Sequence, residues 1–154
     1  MKTAVIVDSV RTGLAKSHRG GFNITRADDM LAHIINGMLE RNPNLPPEMV
    51  EDVIMGCGNP EGSMGHNIGR NAAVLSNLPI TTGGTTVNRY CSSGLQTVSM
   101  AASQIMAGCY DTVIAGGAEQ ITMLAGKTNM DGFVNEKLAE SHPGIYHPMG
   151  ITAE

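Results

Sequence analysis

Tryptophan is absent from this chain, and its aromatic complement is only two phenylalanines and three tyrosines. A core built without large rings has to close through tight contact between small and aliphatic side chains. Nineteen glycines and eleven methionines among 154 residues supply them. Basic residues are also few: ten Lys and Arg stand against fourteen Asp and Glu, for a net charge of −4. With no basic stripe, nucleic acid is not expected as an obligatory partner. An anionic small molecule remains compatible, because it needs only a local set of donors. The three cysteines, Cys57, Cys91 and Cys109, form neither a CxxC pair nor a metal-ligand spacing, so no metal site is expected. Their odd number, and an N-terminus too short and too soon acidic for a signal peptide, point to a reducing, cytoplasmic setting. No apolar run approaches the length of a membrane span. The length suits one domain with a real core, and a charged fraction of 16% excludes a disordered chain.

What is present reads as strand alternating with helix. Residues 4–7 form a continuous apolar run of the kind expected for a strand buried on both faces. After an irregular loop, Thr25 is the candidate N-cap of a helix, with Asp28 three residues on. The apolar face of that helix is Met30, Leu31, Ile34, Ile35, Met38 and Leu39. Residues 50–55 predict a second strand, residues 67–76 a short helix and residues 85–90 a third strand. The glycine-rich connection at 56–69 lacks the Lys-Ser/Thr ending of a phosphate-binding loop. From Cys91 to about Ala107 the chain is helical, with Gly108 as its natural stop. Small or apolar residues surround most of that helix, which predicts enclosure within protein. Residues 112–115 predict a fourth strand. This order argues for a mainly parallel α/β sheet with right-handed crossovers. Beyond Met123 the chain turns polar, and no strand pattern returns. It stops at Glu154 as a helix begins, so a longer protein or a split gene product is expected.

The most informative stretch is Val87-Asn88-Arg89-Tyr90-Cys91-Ser92-Ser93-Gly94-Leu95-Gln96. It puts a cysteine where a strand hands over to a helix. Unpaired N–H groups and the positive end of the macrodipole favour negative charge there. Such positions can bring a thiol from its ordinary pKa of ~8.5 to between ~3.5 and ~7.5. The competing reading is a small cysteine packed among alanines and serines.

The motif Asn88-Arg89-Tyr90-Cys91-Ser92-Ser93-Gly94 resembles the nucleophile signature of the thiolases, the acetyl-CoA acyltransferases. Collinear resemblances run along almost the whole chain. They include residues 7–12 at a first strand, Asn67-Ile68-Gly69-Arg70 in a helix, Ala115-Gly116-Gly117-Ala118-Glu119 at a strand-glycine corner, and residues 149–154. Ketoacyl synthases, the related alternative, usually have three serines after their cysteine; Asn88 and Gly94 favour a thiolase. The resemblance implies an α/β, thiolase-like fold. Residues 1–120 would be an N-terminal half without its last strand, with a mixed, mainly parallel sheet and helices on both faces. Residues 121–154 would begin the inserted loop domain.

The resemblance also implies a thiolytic cleavage of 3-ketoacyl-CoA, or the reverse condensation, through a thioester on Cys91. Coenzyme A would be a substrate, with no covalently bound cofactor. Met149 matches a methionine that lines the acyl pocket in relatives. Pro148 stands where biosynthetic relatives often carry histidine, which leans towards the degradative reaction of fatty acid β-oxidation. A dimer or tetramer is implied. The histidine base, the second cysteine and the Asn-Glu-Ala-Phe donor of relatives lie in a second half that has no match here. A second chain would then carry that half, or this chain would be a non-catalytic binding or assembly subunit. His142 reads as a loop histidine, and Cys57 and Cys109 read as packed thiols.

Overall fold

A computed structural model describes residues 2–154. Its centre is a parallel sheet of three strands, β1 (Asp52–Gly56), β2 (Thr85–Val87) and β3 (Val113–Gly117), in the order β2-β1-β3. Ile54 lies opposite Thr85 on one side and Ala115 on the other. Every residue of β1 is buried, as its central place requires. Successive side chains of a strand face opposite ways. Val53 and Met55 accordingly join the main apolar cluster, beneath helices α1 (Ala27–Arg41) and α2 (Ile68–Leu75). On the opposite face, Gly56 meets the start of helix α3 (Ser93–Ala107). Helix, sheet and helix therefore form three layers, the α/β arrangement that strand–helix alternation predicts.

Helix α1 buries Leu31 and Ile35 from the predicted apolar face. It starts at Ala27 after Arg26, so Thr25 is not its cap. The carbonyl of Thr25 instead accepts a hydrogen bond from Gln120 Nε2 at 2.6 Å, a contact across 95 residues that local spacing does not reveal. In place of a cap, Arg26 grips the buried Asp28 through two bonds of 2.9 and 2.8 Å. Helix α2 does carry a side-chain cap, with the Asn67 side chain accepting from Arg70 N at 3.1 Å. Helix α3 ends at Gly108, whose φ of 81° is the left-handed turn expected of a glycine there.

Two further expectations about the layers fail. Residues 4–7 form no strand, and Val5, Ile6 and Val7 are 70–83% exposed. The run has the right chemistry for a buried strand, but it pairs with none of the described strands. It is tethered at its ends instead, Lys2 to Asp111 and Asp8 to Arg41 and Asn42, the last two bonds being 2.8 Å each. The Asn42 amide, with smaller help from Ser9 N–H and Arg41, lowers the pKa of Asp8 below the ordinary carboxylate range. Helix α3 is not enclosed either. It buries only Ser93, Thr97 and Ala101, while Leu95 is 76% exposed and Val98 and Met106 stand partly open. Only one side of α3 has the sheet to pack against.

Residues 121–154 hold no strand, as expected. They form α4 (Ile121–Leu124), α5 (Glu136–Ser141) and α6 (Met149–Thr152), with a 3-10 turn at Pro143–Tyr146. Leu124 reaches the core, and Phe133 meets Tyr146 edge-on at 5.5 Å. Among the described residues, no helix is long and apolar enough to cross a membrane.

Candidate active site

In a parallel α/β sheet, ligands bind outside the carboxyl ends of the strands. Three segments meet there in this chain: residues 57–59 after β1, residues 88–92 after β2, and residues 118–120 after β3. Cys91 lies on the segment after β2, two residues before the first helical residue of α3, and it is exposed. The exposure decides against the packed-thiol reading for Cys91. The approach to it is strained. Tyr90 has φ +48°, a left-handed conformation that costs a non-glycine residue about 1–2 kcal/mol. Its side chain, 75% exposed, does not hold it there. Backbone contacts do: the Tyr90 N–H donates to Asn88 Oδ1 at 2.9 Å, and its carbonyl accepts from Ser93 N at 3.0 Å. Ser93 Oγ also accepts from Arg89 N at 2.8 Å, and Arg89 reaches Gln96. Thus Asn88, Arg89 and Ser93, named in the sequence motif, each hold part of the turn.

The turn is seated on the sheet by close backbone contact. A Cβ on Gly56 would lie 2.6 Å from the Ser93 carbonyl carbon, so only glycine lets β1 approach the start of α3. One turn further on, the buried Thr97 hydroxyl shares its one hydrogen between Gly94 O at 2.7 Å and Gly116 O at 2.9 Å, which ties α3 to β3. The resulting position of Cys91 at the strand ends follows from these contacts.

The other two cysteines divide. Cys57 is a buried core thiol, as expected, with Sγ 3.8 Å from Met64 Sδ. Burial, and secondarily the charge of Glu119, push its pKa up to about 11. Cys109 was expected to be packed but is exposed, because the left-handed Gly108 turns the chain away from the core just before it. At pH 8 iodoacetamide should therefore alkylate Cys91 and Cys109 and leave Cys57 protected, as peptide mass spectrometry would show. Between the ordinary thiol range and about 11 the native state keeps the Cys57 proton that the unfolded chain releases. Stability contributed by Cys57 is thus lost as pH rises through that window, and Cys57 alkylation should appear with it.

Met149 is the first residue of α6 and is 77% exposed, so no packed pocket surrounds it here. His142 closes α5 as an exposed loop residue beside Ser141 Oγ at 3.0 Å. Among the described residues, no group of three or more His, Cys, Asp or Glu is placed to hold a metal ion.

The family model "Thiolase, N-terminal domain" matches residues 4–154. The chain belongs to the thiolase family. It is 44% identical to a 3-ketoacyl-CoA thiolase of Bacillus subtilis (strain 168) over 157 aligned residues, covering all of this chain and 39% of that protein. A 3-ketoacyl-CoA thiolase of Aliivibrio salmonicida (strain LFI1238) is 40% identical over 154 residues, and one from Shewanella baltica (strain OS155 / ATCC BAA-1091) is 40% identical over 161. Both comparisons again cover the whole chain and 39% of the relative. This thiolase chain therefore spans about two fifths of the length of the relatives it matches. The α/β fold expected from the resemblance agrees with both the family model and the parallel sheet.

Sequence reasoning missed the partnership between the segments after β1 and β3. Glu119 accepts hydrogen bonds from Gly58 N at 2.7 Å and Asn59 N at 3.1 Å. The partners are about 60 residues apart, and neither carries a local pattern pointing to the other.

Proposed function

We propose that this chain is the nucleophile-bearing part of an acetyl-CoA acyltransferase acting on 3-ketoacyl-CoA. The observation that carries the reading is the exposed Cys91 on a strained turn at the carboxyl ends of the strands, in a chain of the thiolase family. The Cys91 thiolate attacks the C3 carbonyl, and the C2–C3 bond breaks. Its electron pair leaves with C2 as the enolate of acetyl-CoA, which takes up a proton. The shortened acyl group stays on Cys91 as a thioester until the sulfur of a second CoA displaces it, restoring the thiolate. Coenzyme A is thus a substrate, and Met149 would line the acyl pocket once α6 is covered. The degradative direction, in fatty acid β-oxidation, is supported by the names of the relatives and by Pro148.

The proton donor, the base that activates Cys91 and the remaining oxyanion donors come, in this proposal, from residues outside this span. Two faces fit such an addition. The exposed Leu95, Val98 and Met106 leave one side of α3 open for a second layer. Along the free edge of β3, a groove of about 1010 Å³ separates the strand from residues 4–7 and is flanked by Ile34 of α1 and Ile105 of α3. A further strand in that groove would complete the first half, residues 1–120, and bury the run at 4–7. Residues 121–154 are read as the beginning of the loop domain. β2 pairs on one edge only, which fits a dimer formed across it. Three free thiols fit a cytoplasmic setting.

The test is a CoA-dependent thiolysis assay on the purified chain, with intact masses of any chain that co-purifies. We expect no turnover from the 154 residues alone. Turnover should appear when a chain carrying the histidine base and second cysteine of the family's second half is added, together with an acyl adduct on Cys91. Full thiolysis by the 154 residues alone would refute the need for outside residues.

A further inference from the structure

Tyr90 keeps a costly left-handed backbone although its own side chain is solvent-exposed. Strain of this kind persists only where surroundings over-determine it, and the bonds within residues 88–93 are one source. The second lies across the sheet. The N–H of Cys57 donates to Val87 O at 3.0 Å, which holds residues 57–59 against the end of β2. A Cβ on Gly58 would sit 3.6 Å from both the Cα and the carbonyl carbon of Tyr90, so the space beside Gly58, one methyl wide, is bordered by that backbone. The same Cβ would lie 3.2 Å from Glu119 Oε2, so the carboxylate and the Tyr90 backbone border the same small space beside Gly58. Glu119 accepts from Gly58 N at 2.7 Å, Asn59 N at 3.1 Å and Asn59 Nδ2 at 3.4 Å. Hydrogen bonds to an ionised acceptor are about twice as strong as neutral ones. Among the described residues, Glu119 forms no salt bridge, so this turn is what its carboxylate engages. Ala118 N, beside it, donates to Gly56 O at 3.1 Å, which keeps the segment in register with β1.

We propose that Glu119 is a positioning residue for the nucleophile: its carboxylate clamps the turn at 57–59, and Gly58 in that turn supports the Tyr90 backbone that presents Cys91. The inference rests on the reading of Cys91 as the acyl-carrying thiol. Glu119 acts from the end of β3, touches neither substrate nor the reacting sulfur in this scheme, and works through Gly58 and Tyr90. Such a role fits rates better than binding, since a misplaced nucleophile can lose about 100-fold in rate for a shift of roughly 1 Å.

The experiment compares wild type, Glu119→Gln and Glu119→Ala in the catalytically complete assembly. Acylation of Cys91 by a 3-ketoacyl-CoA is followed by quenched-flow mass spectrometry. In the same samples without substrate, iodoacetamide labelling of Cys91 is measured relative to Cys109, and protection of Cys57 reports an intact core. Glu119→Ala should slow acylation by roughly 10- to 100-fold with KM little changed. Glu119→Gln, which keeps one acceptor oxygen, should recover part of that rate. The Cys91-to-Cys109 labelling ratio should change in Glu119→Ala while Cys57 stays protected. Wild-type rates and ratio in Glu119→Ala would overturn the proposal. So would equal losses in both variants accompanied by exposure of Cys57, since that pattern belongs to a purely structural role. An absence of any acyl adduct in wild type would instead overturn the thiolase reading, and the labelling ratio would still decide the role of Glu119.

Discussion

Cys91→Ala is expected to reduce CoA-dependent thiolysis by the complete assembly by roughly 10⁴-fold or more, the scale on which deletion of a covalent nucleophile acts. The reason is that no described group can take over. Cys57 is buried, with its pKa pushed up to about 11, and Cys109 lies beyond the far end of the 15-residue helix α3. The fold should be unaffected, since the exposed side chain of Cys91 fills no core space. Measurements of kcat with circular dichroism as a control would check both statements. Activity retained in the variant, or an acyl adduct on another residue of the wild type, would remove Cys91 from the mechanism. Cys91→Ser should fall nearly as far, because a hydroxyl is far less ionised than a thiol near neutral pH.

Gly69→Ala is expected to be among the most destabilising single-methyl changes in the chain. A Cβ at Gly69 would lie 2.2 Å from the Thr85 carbonyl oxygen, 2.8 Å from its carbon and 3.1 Å from its nitrogen. Helix α2 thus rests directly on the backbone of β2, and Gly69 N bonds Thr86 Oγ1 at 3.2 Å across the contact. The neighbouring Gly84 approaches Arg70 equally closely from the other element. Alanine favours a helix interior over glycine by about 1 kcal/mol. Forcing apart two backbones in a packed region costs typically 1–3 kcal/mol and sometimes more. Here the obstacle is backbone already paired to β1, so the upper end should apply and the net loss should be about 2 kcal/mol. Gly37→Ala, within α1, is the matched control. Nothing lies within 4 Å of its added Cβ, and a gain of about 0.5–1 kcal/mol is expected. Urea midpoints of the two variants should move in opposite directions. If Gly69→Ala were neutral, the close approach of α2 to β2 would be wrong.

Legibility in the sequence followed the range of the interactions involved. Helix α1 was readable because Leu31, Ile34, Ile35 and Met38 recur at a local period. The left-handed stop at Gly108 was readable because only glycine adopts that conformation cheaply. The start of α1 lies one residue later than the Thr25 cap implies, and Gln120, 95 residues away, holds the Thr25 carbonyl. The enclosure expected of α3 did not appear, because composition reports what a helix can bury and not what is present to bury it. Cys109 was misread for a related reason: the residue before it, Gly108, sets the direction of the chain, and no apolar pattern registers that.

The sequence by itself determined most of the elements, the parallel α/β class, the family and the identity of the candidate nucleophile. Each is written in local spacing or in a contiguous motif such as residues 88–94. Tertiary structure alone decided that two of three chemically identical thiols, Cys91 and Cys109, are exposed and that Cys57 is shut away. It also decided that residues 4–7 lie unpaired along a groove, and that Glu119 reaches back to Gly58 beneath Tyr90. The physical reason is the same throughout. Burial, strand pairing and hydrogen-bond partnership depend on groups brought together by the fold, and their separation along the chain, about 60 residues between Glu119 and Gly58, leaves no trace in local pattern.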